Sequence, residues 1–118
     1  MKVLKIIALT LIISQTSFSQ CWRQVESGDY HTVGIKSDGT LWAWGLNNVG
    51  QLGDGTTDSR LSVQAVKGLG SVVQIFVGGA SSCALKSDDS LWCWGSNQNG
   101  QIGGGSEKAT SPVLVRFP

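Results

Sequence analysis

Leu41-Trp42-Ala43-Trp44-Gly45-Leu46-Asn47-Asn48-Val49-Gly50-Gln51-Leu52-Gly53 returns fifty residues later as Leu91-Trp92-Cys93-Trp94-Gly95-Ser96-Asn97-Gln98-Asn99-Gly100-Gln101-Ile102-Gly103. Extended outward without gaps, Gln24 to Val66 and Gln74 to Arg116 agree at 15 of 43 positions, where chance would give only a few. A unit of this length is one supersecondary element that cannot bury its own apolar faces. Its meaning is therefore stacking on neighbours, in a propeller or a solenoid.

Upstream of the quoted stretch, Thr32-Val-Gly-Ile-Lys36 is joined to Thr40-Leu-Trp-Ala-Trp44 by Ser37-Asp38-Gly39, two β-prone runs around a turn. A three-residue loop of this kind ends in a left-handed residue, which suits Gly39 better than Asp89 of the second copy. Centring the turn on Asp38 pairs Ile35 with Leu41, Val33 with Ala43, Gly34 with Trp42 and Thr32 with Trp44. One face is then aliphatic, and the other sets Trp rings over small partners. Both faces ask for cover, as they would in a blade between two other blades, and the recurrence of Trp42, Trp44, Trp92 and Trp94 places these rings in the blade core. The remaining strands are expected at Arg23 to Ser27, Ser62 to Val66, Val72 to Val77 and Pro112 to Arg116.

Cys83 and Cys93 stand where the first copy has Val33 and Ala43, which the hairpin register places opposite one another. A cross-strand pair can meet the geometry of a disulfide, so a Cys83–Cys93 bridge is expected. Cys21 is left over, either free or paired between chains.

The other groups carry less chemistry. His31 is the single histidine and Ser81 replaces it in the second copy, so a hydrogen-bonded structural role is the expectation. Asp54 and Asp58 suggest a calcium loop only weakly, since Gly104 and Lys108 occupy those positions in the second copy and a hard cation needs more oxygens. The chain has no phosphate-binding glycine loop, nucleophile elbow or Cys/His zinc spacing. We expect no catalytic residue, no cofactor and no metal.

Length and charge bound the rest. At 118 residues with 41% apolar content there is room for one small globular domain. Met1 to Ser19 reads as a secretory signal peptide: Lys2 and Lys5, a short apolar run Ile6 to Ile13, and a small-x-small site at Ser17 to Ser19. The run falls far short of the roughly 18 residues a membrane span needs. Lipidation of Cys21 is disfavoured by Gln20 in front of it. Cleavage after Ser19 leaves seven basic and eight acidic residues, with no basic patch for nucleic acid. The expected location is secreted or extracellular, the cell surface included.

The run Gly78-Gly79-x-Ser81-Ser82-Cys83-Ala84-Leu85 followed by Leu91-Trp92-x-Trp94-Gly95-x-Asn97-x-x-Gly100-Gln101-Ile102-Gly103 resembles the repeat of the regulator of chromosome condensation family. The first copy resembles it through Gly28, His31-Thr32-Val33, Asp38-Gly39, Leu41-Trp42-x-Trp44-Gly45 and Gly50-Gln51-Leu52-Gly53. The resemblance implies an all-β fold of four-stranded propeller blades, usually seven to a ring, with two blades here over residues of about 22–70 and 71–118. Of activity the resemblance implies less, since the same ring hosts guanine-nucleotide exchange, protein inhibition and plain scaffolding; secreted bacterial members look like binding modules, and one resembling group inhibits β-lactamases by covering the enzyme's active-site face.

Guanine-nucleotide exchange, the activity that names the family, needs a closed ring face that two repeats do not form. The leading expectation is a protein-binding or scaffold unit that is a fragment of a longer propeller. The alternatives are a polysaccharide-binding module and, behind it, an exchange factor or enzyme. Expected partners are neighbouring repeats, an unidentified protein, or further copies meeting through uncovered blade faces. Contact residues are sought where the copies differ in loops, at Asp29, Tyr30, Leu46, Asn48 and Val49 in the first and Ser96, Gln98 and Asn99 in the second.

Overall fold

The computed structural model describes residues 21–116, so the signal-peptide reading of residues 1–19 and the terminal Phe117-Pro118 lie outside the described residues. Eight strands follow in chain order: β1 (Trp22–Ser27), β2 (His31–Lys36), β3 (Leu41–Gly45), β4 (Arg60–Ala65), β5 (Val72–Gly78), β6 (Ser81–Lys86), β7 (Leu91–Ser96) and β8 (Lys108–Leu114). They form two four-stranded antiparallel meanders, β1-β2-β3-β4 and β5-β6-β7-β8, one per repeat. The architecture is all-β, two blades of a partial propeller.

The hairpin register follows from the alternation. Thr32 faces Trp44, Val33 faces Ala43, Gly34 faces Trp42 and Ile35 faces Leu41, with the same pattern from Ser82 to Leu91 in the second blade. In the turns, Gly39 donates to the Lys36 carbonyl at 2.9 Å and Asp89 to that of Lys86 at 3.0 Å. Both residues are left-handed, at φ 84° and 70°. Asp89 is tolerated where Gly would be easier because the turn is fixed by its neighbour: the Asp88 carboxylate accepts the backbone N–H and hydroxyl of Ser90.

The fourth strands depart from the sequence reading. They begin at Arg60 and Lys108, before the expected Ser62 and Pro112, because Gly45 pairs with Arg60, Gly95 with Ala109 and Ser96 with Lys108. The partner of Leu41 is Val66 and that of Leu91 is Val115, an offset of 49 rather than 50. The second loop is one residue shorter, so the gapless alignment slips there. Pro112 sits within β8, which is an edge strand where its missing N–H is cheap.

The core lies between the blades. The register puts Val33, Ile35, Leu41 and Ala43 on one face of blade 1, all at most 1% exposed. They cluster with Ile75, Ala84 and Trp94, which share the opposite kind of face of blade 2, and with Val66, Leu69 and Val72 from the connection. The aliphatic face of one blade thus takes the Trp face of the next. Trp94 is 0% exposed, a burial of roughly 4–6 kcal/mol by area.

Two faces remain open. Expectation and structure part here, since both faces of each blade read as buried. On blade 1 the Trp face carries half-buried Trp42 and Trp44, with Trp22 and Val25 exposed. Trp22 lies over Gly34 and tilts against Trp44 with centroids 5.9 Å apart. On blade 2 the aliphatic face carries Cys83, Leu85 and Leu91, bordered by exposed Phe76 and Val113. Burial is set by the neighbour, and each of these faces has none among the described residues.

Candidate functional site

The β1–β2 turn and the β3–β4 loop fall at the same end of blade 1, because antiparallel pairing puts the end of β1, the start of β2, the end of β3 and the start of β4 at one end of the sheet. Leu46 N–H donates to the Tyr30 carbonyl at 2.9 Å, and Ser96 N–H to the Ala80 carbonyl at 3.0 Å in blade 2. Asp29, Tyr30, Leu46, Asn48, Val49, Ser96, Gln98 and Asn99 therefore share one end of the molecule. Tyr30 is the most open of the large side chains there at 75% exposed, with Asp29, Asn48, Gln98 and Asn99 also exposed. Leu46, Val49 and Ser96 are half-buried supports.

A buried asparagine holds each loop. The Asn47 amide donates to the carbonyls of Thr56 (2.9 Å) and Asp58 (3.0 Å) while its oxygen accepts from Leu52 N–H at 2.9 Å. Asn97 repeats this with Gly103, Ser106 and Ile102. Asp54, weighed as a calcium ligand, spends its oxygens within the loop on Thr56, Asn47 and Arg60, the last an ion pair at 3.3 Å. Burial pushes its pKa up, but the hydrogen bonds from Thr56, Asn47 and Arg60 outweigh that and hold the carboxyl below the usual range. Asp58 enters through its backbone carbonyl. Beside this loop a groove of about 260 Å³ runs between Gly53, Arg60, Gln64, Lys67 and Ser111.

The seam between the blades holds a polar network the sequence reading had not seen. The Gln51 carbonyl accepts from Trp94 Nε1 and from Ser82 Oγ, both at 2.9 Å. Since the single Ser82 hydroxyl proton is thus spent, His31 Nε2 must carry the hydrogen of its 2.8 Å contact with Ser82 Oγ. His31 Nδ1 is then a bare, buried nitrogen with no partner among the described residues. Desolvation lowers the His31 pKa, opposed by the charge of Asp29. Arg23 donates to the Val72 carbonyl, and Gln24 exchanges two bonds with the backbone of Ile75. His31 is thus a structural linchpin between blades. Its burial by the following blade was invisible in one repeat alone.

Cys83 and Cys93 are joined by a disulfide across β6 and β7, at the paired position. Cys21 is not part of a disulfide and is exposed.

Around the Trp rings, Lys36 Nζ lies 4.2 Å from the Trp42 ring centroid and 5.2 Å from that of Trp22, and Lys86 Nζ lies 5.7 Å from that of Trp92. Trp42 and Trp92 donate to Thr40 and Ser90 at the turn tips.

Two models of the regulator of chromosome condensation (RCC1) repeat match the sequence, one over residues 22–51 and 72–101, the other over 38–85 and 88–118. The chain belongs to the regulator of chromosome condensation repeat family. Among similar proteins, the probable E3 ubiquitin-protein ligase HERC6 of Homo sapiens is 39% identical over 64 residues, covering 52% of this chain and 6% of the ligase. The RCC2 homologue of Danio rerio is 42% identical over 43 residues, 36% of this chain and 9% of that protein.

Yeast RCC1 (Prp20), solved bound to Kap60, superposes with a TM-score of 0.73 at 28% identity over 82% of this chain and 23% of that one. A second Prp20p structure, described with its binding to Gsp1p and histones, gives 0.71 at 27% identity, over 82% of this chain and 24% of that one. Human WBSCR16 shares the fold, with a TM-score of 0.75 at 24% identity over 81% of this chain and 25% of that one. The chain thus spans about a quarter of the solved relatives and under a tenth of the curated ones. These relatives are eukaryotic, not of the secreted bacterial kind to which the resemblance pointed. Among the described residues no helix is long and apolar enough to cross a membrane.

Proposed function

We propose that the chain is an exported protein-binding or scaffold module, an arc of a propeller that presents loops from one end of its blades. The observation that carries this is that the divergent exposed residues Asp29, Tyr30, Asn48, Gln98 and Asn99 fall at one end of the blades, over half-buried Leu46, Val49 and Ser96, the last of these closing β7. Variable loops on a fixed scaffold are the usual place for recognition. The ligase activity named for the curated relatives is not carried over, because this chain covers so little of those proteins. Export rests on the composition of residues 1–19.

Polysaccharide binding is the weaker alternative. The Trp42 face that would stack on a sugar is taken by the Lys36 ammonium, and Trp94, the repeat mate of Trp44, is core.

The test compares the exported full chain with a Tyr30→Ser/Asn48→Ala/Gln98→Ala variant for retention of proteins from its own extracellular medium, with glycans assayed in parallel by Trp fluorescence. Expected are specific retention of a protein lost in the loop variant, no glycan response, and a mature N-terminus at Gln20. Retention unchanged by the loop substitutions, or emission shifted by a glycan, would overturn the reading.

A further inference from the structure

We propose that a second copy of this chain docks the Trp face of its blade 1 onto the open aliphatic face of blade 2, repeating head to tail the contact that joins the two blades within one chain. This deepens the reading of the chain as a propeller arc by naming what supplies the neighbouring blades.

The internal seam is the template. In it the Trp94 ring lies against Gly53, where a Cβ would come within 2.8 Å of Nε1, and Trp94 donates to the Gln51 carbonyl. Gln101 and Gly103 repeat Gln51 and Gly53 in sequence and in the left-handed glycine, at φ 96° against 71°. Gly103 has open space above it where Gly53 has the ring, and Gln101 is exposed where Gln51 is 1% exposed. A Trp receptor is thus built and empty on blade 2.

The matching group is on the opposite face of the molecule. Trp44 is the repeat mate of Trp94, half-buried, and no hydrogen bond from its Nε1 is seen among the described residues, whereas Trp42, Trp92 and Trp94 all donate. Thr32 stands beside it as Ser82 stands beside Trp94, with a hydroxyl for the Gln101 carbonyl. Gln74 repeats Gln24, and Val25 sits opposite Gly34 as Ile75 sits opposite Ala84. The two-bond clasp of Gln24 on Ile75 can therefore be remade between Gln74 and Val25 of the next copy.

The surrounding surface is apolar in kind. Leu85 and Leu91 replace Ile35 and Leu41, and the Cys83–Cys93 bridge fills the place of Val33 and Ala43. The largest departure is Trp22, exposed where Val72 is buried. Because the two faces are unlike, the contact is heterologous and adds copies in one direction, closing into a ring when the rotation allows.

The test uses the oxidised, exported chain in sedimentation velocity, with two variants that place a charge on one open face each. Leu85→Arg damages the aliphatic face and leaves the Trp face intact; Val25→Arg does the reverse. Both sites are at least partly exposed in one copy, so circular dichroism should show native folding. The wild type is expected to gain mass with concentration while Trp emission moves to the blue. Each variant alone should stay monomeric, with association weakened by roughly a hundredfold or more, since an unpaired charge is forced into a dry contact. Mixed together, the two variants should form a one-to-one dimer and nothing larger, because each still offers the face the other needs. A wild type that is monomeric at every concentration overturns the proposal, as does a mixture that fails to dimerise or a variant that still self-associates. The Tyr30 loop variant should associate like the wild type, so loss of partner binding and loss of self-assembly are read separately.

Discussion

His31 shows how a single side chain ties stability to pH. Burial holds it neutral in the folded chain, so the unfolded chain takes up the proton first. Stability is then fully present above the unfolded imidazole pKa of about 6.5 and falls as pH drops toward the lower folded value. Asp38, Asp54 and Asp88 act in a separate window. The first and last are held below the usual range by hydrogen bonds from Thr40 and Ser90, and the contribution of all three is lost only as pH falls below about 4. Urea unfolding between pH 7 and 5 should show a decline that His31→Asn flattens. A second residue-scale comparison isolates the seam. Gly53→Ala and Gly103→Ala both force a left-handed alanine, about 1–2 kcal/mol each. Only Gly53→Ala drives a methyl into Trp94, adding about 1–3 kcal/mol. Equal midpoints in denaturation, measured at concentrations where the chain is monomeric, would mean that the ring does not rest on Gly53.

At the scale of the element, the hairpins were legible in the sequence and the long loops were not. Alternation of large and small residues around a three-residue turn specifies register, because a slip of one residue would turn every Trp to the other face. The Cys83–Cys93 bridge was legible for the same reason. It closes a short loop between cysteines 10 positions apart in sequence, so Cys83→Ser/Cys93→Ser should lower stability by about 2–3 kcal/mol, seen as a lower thermal midpoint. The intact mass of the native chain should also be lighter by two hydrogens than the reduced one. The starts of β4 and β8 were missed because the residues before them owe their order to one buried amide, Asn47 or Asn97. Such a loop carries no period, and nothing in composition marks where it rejoins the sheet. The contact residues could be chosen from the sequence by their divergence. Their gathering at one end needed the topology.

At the scale of the whole molecule, most of the core belongs to neither blade. Val33, Ile35, Leu41 and Ala43 are covered by residues from beyond position 65, and Ile75, Ala84 and Trp94 by residues from before it. A chain cleaved between Gly70 and Ser71 should leave two halves that each lack a cooperative unfolding transition, measurable by near-ultraviolet circular dichroism during heating. Cooperative melting of either half alone would show that a blade carries its own core. The sequence announced that faces must be covered but not which ones would be, since a repeat looks the same whether or not it has a neighbour.

The unlike faces of a blade also bear on how such a chain can change over generations. Tandem duplication of one fifty-residue unit adds an interior seam and leaves the inventory of outward surfaces as it was: one tryptophan-bearing side and one aliphatic side. Gene length can therefore drift by whole units without creating new sticky surface, and selection on solubility is blind to blade number.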